Sequence, residues 1–199
     1  MTHDQLLAAC LFALVSSVTP GPNNTMLMAS GVNFGFKRTA PHLVGVQLGF
    51  AFLVLCIGLG LHTVLQVFPD FYTLLRYAGA AYMVWIAWKL ATARPDLNAS
   101  ASATRPMGFW GAVAFQWVNP KAWVMAVTAM STYLPPNAGW TLVLALAAIF
   151  LVIGAPCTAF WAAFGQAMRR VLQDPLRLRV FNVTMALALL ASLYPMLMH

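Results

Sequence analysis

The chain has 199 residues, 61% of them hydrophobic and 8% charged, with a mean hydropathy of +0.78. A soluble domain carries about 25% charged residues, so this is a membrane composition. The net charge of +7 sits in short connections between apolar runs, without the basic face of a nucleic-acid binder, so no nucleic-acid partner is expected.

Met1 to Asp4 lacks the cationic start of a cleaved signal peptide, so the first apolar segment is expected to stay as a helix. A spanning helix takes about 20 apolar residues, and on that measure six are expected. The first runs from Leu6 to Ser30 and is interrupted at Thr19-Pro20-Gly21-Pro22-Asn23-Asn24. Each proline lacks an N–H and crowds the carbonyl four residues earlier, here Ser16 and Val18. Backbone freed in this way inside a membrane has to be buried in protein or line a cavity.

The second helix is expected from Leu43 to Val67 and, after a turn at Pro69-Asp70, the third from Tyr72 to Leu90. The stretch 93–106, rich in Ala, Ser, Thr and Asn, divides the chain. The fourth helix runs from Met107 to Tyr133 and carries its own interruption, Gln116-Trp117-Val118-Asn119-Pro120-Lys121. Pro135-Pro136-Asn137 is a turn, the fifth helix runs from Trp140 to Gln166, and the sixth from Phe181 to Met198.

Lys37, Arg38, Lys89, Arg94, Arg105, Arg169, Arg170, Arg177 and Arg179 all fall on one side of the membrane if both termini face outward. Arg76, near the other side, is read as snorkelling beside Tyr72. Thr19 then lies roughly 20 Å in from the outer end of its helix, and Lys121 roughly 20 Å in from the inner end of its own. The expected fold is an all-α polytopic membrane domain over 1–199, with six spans as two inverted three-helix pseudo-repeats. These are 1–92 and 107–199, joined by a cytoplasmic loop at 93–106, with spans one and four broken at proline. Paired interruptions in corresponding positions of two halves point to a transporter's binding site.

The candidate substrate-binding residues are Pro20, Gly21, Pro22, Asn23, Asn24, Gln116, Asn119, Pro120 and Lys121. Freed carbonyls suit an ammonium, and the amides that restart a helix suit a carboxylate. The competing reading of the amide side chains is glue between helices. For Lys121, the readings are attraction of a substrate carboxylate, neutralisation of freed carbonyls, or snorkelling to the outer interface.

The acidic residues Asp4, Asp70, Asp96 and Asp174 all fall in connections or at helix ends, so no intramembrane carboxylate is visible. His42 and His62 are read as interfacial, with a proton relay as the alternative. Cys10, Cys56 and Cys157 are read as small buried hydrophobes. Gly45, Gly49, Gly58, Gly60 and Gly79 offer close-approach surfaces. Trp117, Trp123 and Trp161 lie deep and either wall a cavity or pack. No cofactor, metal ligand set or catalytic grouping is visible. The alternatives to a transporter are a non-transporting assembly subunit and a membrane-embedded enzyme.

Thr19-Pro20-Gly21-Pro22-Asn23, the later Asn119-Pro120-Lys121-Ala122 and six expected helices in one short chain resemble the LysE/RhtB amino-acid exporter family of bacteria. Ser30, Gly35, Phe36 and the run Gly79-Ala80-Ala81-Tyr82-x-Val84-Trp85-x-Ala87-Trp88-Lys89 are similar to the branch exporting cysteine and O-acetylserine. The resemblance implies a multi-pass inner-membrane exporter of small amino acids, driven by the proton gradient and able to form homo-oligomers; the expected function is export of small neutral amino acids by alternating access and antiport. Several members follow the glycine of the second helix with aspartate, whereas here Gly49 is followed by Phe50. That departure disfavours a cationic substrate and a carboxylate-based coupling scheme.

Overall fold

A computed structural model describes residues 2–61, 69–93, 105–135 and 138–194. They form eight helices: α1 (His3–Val18), α2 (Pro22–Phe34), α3 (Phe36–Cys56), α4 (Pro69–Ala91), α5 (Phe109–Gln116), α6 (Pro120–Tyr133), α7 (Trp140–Met168) and α8 (Pro175–Ala191). A π-helical turn, Ile57–Leu61, extends α3. Among the described residues, α3 with this extension and α7 are each long and apolar enough to cross a membrane. Helices α1 and α2 qualify together, bent by 51° at their junction. The loop 94–104, His62 and the Pro136-Asn137 turn lie outside the described residues, as do the side chains of Tyr72 and Arg76.

Both proline interruptions are real breaks. Helix α1 ends at Val18, and α2 restarts with Pro22 in its first turn, where a missing N–H costs nothing. Helix α5 ends at Gln116, and α6 restarts with Pro120 in the same role behind Asn119, whose side chain caps the Lys121 amide at 3.2 Å.

Helices α1 and α4 begin three residues before their expected starts, so Pro69-Asp70 is the first turn of α4 and not a turn before it, and two further helices begin earlier still. Helix α3 begins at Phe36 rather than Leu43, directly behind Gly35, whose φ of 79° turns the chain out of α2. Lys37 and Arg38 are therefore helical, because the helix continues past its apolar stretch. Helix α8 begins at Pro175 rather than Phe181, capped by Asp174, which accepts from the Arg177 amide at 2.9 Å. His42 is consequently two turns inside α3 and 2% exposed. It is not the interfacial residue expected, and neither ring nitrogen has a hydrogen-bond partner.

Helices α3 and α7 form the centre and pack on each other. The α1–α2 pair lies along α7, and the α5–α6 pair lies along α3. Each broken pair therefore packs on the long helix of the other half of the chain. Helices α4 and α8 pack together at the side through Met83, Ala87, Ala186 and Leu189. Small residues set these approaches. Gly45 meets the Phe109 carbonyl, Gly49 meets Val113 and the Gln116 stem, and Gly31 and Gly165 bring the backbones of α2 and α7 together. The two turns of α3 at Gly45 and Gly49 follow α5 in the same direction, bringing the second break beside the first.

Candidate functional site

A break at this depth poses an accounting problem: every carbonyl from Ser16 to Pro20 needs a donor. The chain supplies all of them from side chains. Thr19 Oγ1 donates to the Ser16 carbonyl at 3.0 Å. Asn24 Nδ2 donates to the Ser17 and Thr19 carbonyls at 2.8 and 2.9 Å. Trp161 Nε1 reaches the Val18 carbonyl at 3.1 Å. Lys121 Nζ crosses from the other break to the Thr19 carbonyl at 2.7 Å, to Thr19 Oγ1 at 2.8 Å and to the Pro20 carbonyl at 3.4 Å.

Of the three readings of Lys121, the structure shows neutralisation of freed carbonyls. Its stem runs over Gly21, where a Cβ would stand 2.7 Å from Lys121 Cδ. A second link joins the breaks: Asn23 Nδ2 donates to Gln116 Oε1 at 2.8 Å, and Gln116 Nε2 donates back to Asn23 Oδ1 at 3.3 Å. Gln116 Nε2 also donates to the Ala112 carbonyl of its own helix at 2.9 Å.

The second break is closed in a related way. Trp123 Nε1 donates to the Trp117 carbonyl at 2.9 Å. Each break thus has one indole on a carbonyl at the end of its first half-helix. These tryptophans cap the backbone, and none of them lines the pocket described next.

Against the breaks lies a cavity of about 50 Å³, room for a few waters at about 10–15 Å³ each. Of the nine candidate residues, Gly21, Asn23, Asn24, Asn119 and Lys121 line it. Pro20, Pro22, Gln116 and Pro120 do not line it. Two lining residues that sequence reasoning missed are Gln47 of α3 and Thr158 of α7. Gln47 Nε2 donates to Thr158 Oγ1 at 2.7 Å, which closes the pocket's far side. A usable signal existed: Gln47 is a side-chain amide set between Gly45 and Gly49 in an apolar segment.

A small polar pocket enclosed by two cross-braced broken helices, inside an apolar helical bundle, belongs to a membrane transport protein. The comparisons say which kind. The chain belongs to the LysE type translocator family, whose model matches residues 14–192. It is similar to the cysteine/O-acetylserine efflux proteins of Escherichia coli O1:K1 / APEC and of Escherichia coli strain K12. The former is 34% identical and the latter 35% identical over 191 residues, 95% of each chain. The protein of the same description from Escherichia coli O157:H7 is 33% identical over 192 residues, 96% of each chain. No solved structure matches. The protein is accordingly a membrane exporter of this family, not an enzyme.

Proposed function

We propose that the protein exports small neutral amino acids of the cysteine and O-acetylserine kind across the bacterial inner membrane, by alternating access at the pocket between the paired breaks. The observation that carries this reading is the pocket's make-up. Lys121 lines it and rests its ammonium on the Thr19 and Pro20 carbonyls behind, oxygens that suit an ammonium, and Gly21 in the lining opens α2, whose start no side chain caps. A zwitterion needs one of each. The lining holds no acidic side chain, which disfavours a substrate with a second positive charge.

Two features support an inverted repeat in which the halves rock about this pocket. Each broken pair packs on the opposite half's long helix, and α3 packs on α7 as α4 packs on α8. A two-fold axis in the membrane plane would exchange the two broken-pair contacts and map the α3–α7 and α4–α8 contacts each onto itself. The one-sided distribution of Lys and Arg supports termini that face outward. The efflux proteins named above supply the substrate class, since the pocket's polar groups fix a zwitterion's two charges but not its side chain.

The test is efflux from proteoliposomes loaded separately with labelled O-acetylserine, cysteine, homoserine, threonine and lysine. Efflux of the small neutral compounds without lysine is expected. Lys121→Met and Asn24→Leu are each expected to abolish it while the protein still inserts. Full export by either variant removes that residue from the site. No efflux of any neutral compound from folded, inserted wild-type protein overturns the reading.

A further inference from the structure

The Lys121 ammonium is held by three neutral oxygens, two carbonyls and a hydroxyl, and by no carboxylate. Such a cradle is what an amino acid's own ammonium requires. The elements around the pocket bring no second ionisable group to it. The lining contributed by α1, α2, α3, α6 and α7 contains no Asp, Glu, His, Arg, Cys or Tyr, leaving Lys121 as its one titratable residue. The remaining space, about 50 Å³, lies against that lysine and against Gly21.

We infer that Lys121 occupies the substrate's ammonium position in the empty pocket, and that an arriving zwitterion displaces it and drives off its proton, so that one proton is exchanged per substrate exported. The inference rests on the exporter reading above and adds the coupling group to it. Two ammonium groups cannot share one set of three oxygens, because like charges at contact distance repel and each disfavours the other's protonated form. The substrate's ammonium is the one that stays, since its carboxylate is bound alongside at the start of α2. Lys121 loses the oxygens that held its charge, and its proton passes to water on the inner side as the neutral amine swings away. After the substrate leaves outward, the amine takes a proton from the outer side and closes back over Gly21 onto Thr19 and Pro20. The cycle balances: one zwitterion moves out, one proton moves in, and the protein ends as it began.

The flexible stem is suited to this movement. It lies over the one residue at the break without a side chain, and it reaches the oxygens from the first turn of another helix. Asn24 continues to cap the Ser17 and Thr19 carbonyls when the lysine departs, so the break stays intact.

The experiment is calorimetric titration of the purified full chain with O-acetylserine, in two buffers of different ionisation enthalpy. Wild type is expected to release about one proton per substrate bound, and its affinity to rise about tenfold per pH unit over the mildly acid to neutral range. Lys121→Met, which leaves the cradle free, is expected to bind at least as tightly with no release, and not to export, since no protonated lysine returns to displace the substrate. Lys121→Arg is expected to bind weakly, also without release.

Wild-type binding without proton release overturns the inference, as does undiminished release by Lys121→Met. Loss of binding in a folded Lys121→Met protein also overturns it, since the lysine would then be a substrate ligand. Failure of wild type to bind any small neutral amino acid gives no titration at all, and so is distinguishable as failure of the substrate reading itself.

Discussion

Asn23 and Gln116 exchange two hydrogen bonds, at 2.8 and 3.3 Å, across residues 93 positions apart in the chain. The pair ties the start of α2 to the end of α5, and Gln116 is wholly buried. Removing one partner leaves the other amide short of a hydrogen bond in an apolar surrounding, at about 1–3 kcal/mol. Asn23→Leu and Gln116→Leu are each expected to lower stability by that order. The double substitution should cost less than the two singles together, because no orphan amide remains. Unfolding of the four proteins in detergent measures the coupling. Strict additivity would show that the pair does not join the two breaks.

Gly31 and Gly165 mark the closest approach of α2 and α7, where a Cβ on Gly165 would overlap the Met28 carbonyl. Backbone cannot move aside as a side chain can, so Gly165→Ala is expected to destabilise by about 1–3 kcal/mol, as overpacking does. Gly139 caps α7 with nothing within 4 Å of its would-be Cβ. Gly139→Ala is therefore expected to cost only the capping preference, on the order of a few tenths to 1 kcal/mol. Comparing the two unfolding midpoints checks the packing without touching the pocket. Equal effects would remove the close crossing as a source of stability.

His42 is 2% exposed, and both of its ring nitrogens lack partners. A buried polar group without a hydrogen bond opposes folding, and an apolar replacement of similar size relieves the cost. His42→Leu is expected to raise stability by about 1 kcal/mol and to leave efflux unchanged. Loss of proton-driven efflux in a stable His42→Leu protein would give this histidine a part in coupling and contradict the expectation.

The sequence makes the two breaks legible because their chemistry is local. Proline removes a donor wherever it stands, and Asn119 before Pro120 is a helix start in any context. The partners are not legible, because they come from elsewhere in the fold. Nothing near Lys121 says that its ammonium ends on Thr19, 102 residues away. Nothing near Trp161 says that its indole caps Val18.

The helix starts at Phe36 and Pro175 escape an apolar-length criterion because both helices run on into polar sequence. Asp174-Pro175 nonetheless carries a cap and first-turn signature that marks the second start. His42 follows from the first of these errors: with α3 expected from Leu43, a residue two turns inside the helix reads as its edge.

Gly21 offers the sharpest test of the Lys121 arrangement. Its backbone is extended, with φ of −175°, so alanine fits it without strain. The added methyl would stand 2.7 Å from Lys121 Cδ and 3.2 Å from Nζ, so the stem has to leave the path that carries it to Thr19 and Pro20. As a helix-capping position, Gly to Ala costs on the order of a few tenths to 1 kcal/mol. Gly21→Ala is therefore expected to insert and fold, yet to lose roughly tenfold or more in export, the effect of about 1.4 kcal/mol on a single step. Adding Lys121→Met to Gly21→Ala should bring no further loss beyond Lys121→Met alone, since both act on one contact. Independent, multiplying losses would mean that Gly21 serves the pocket in some way other than by admitting the lysine.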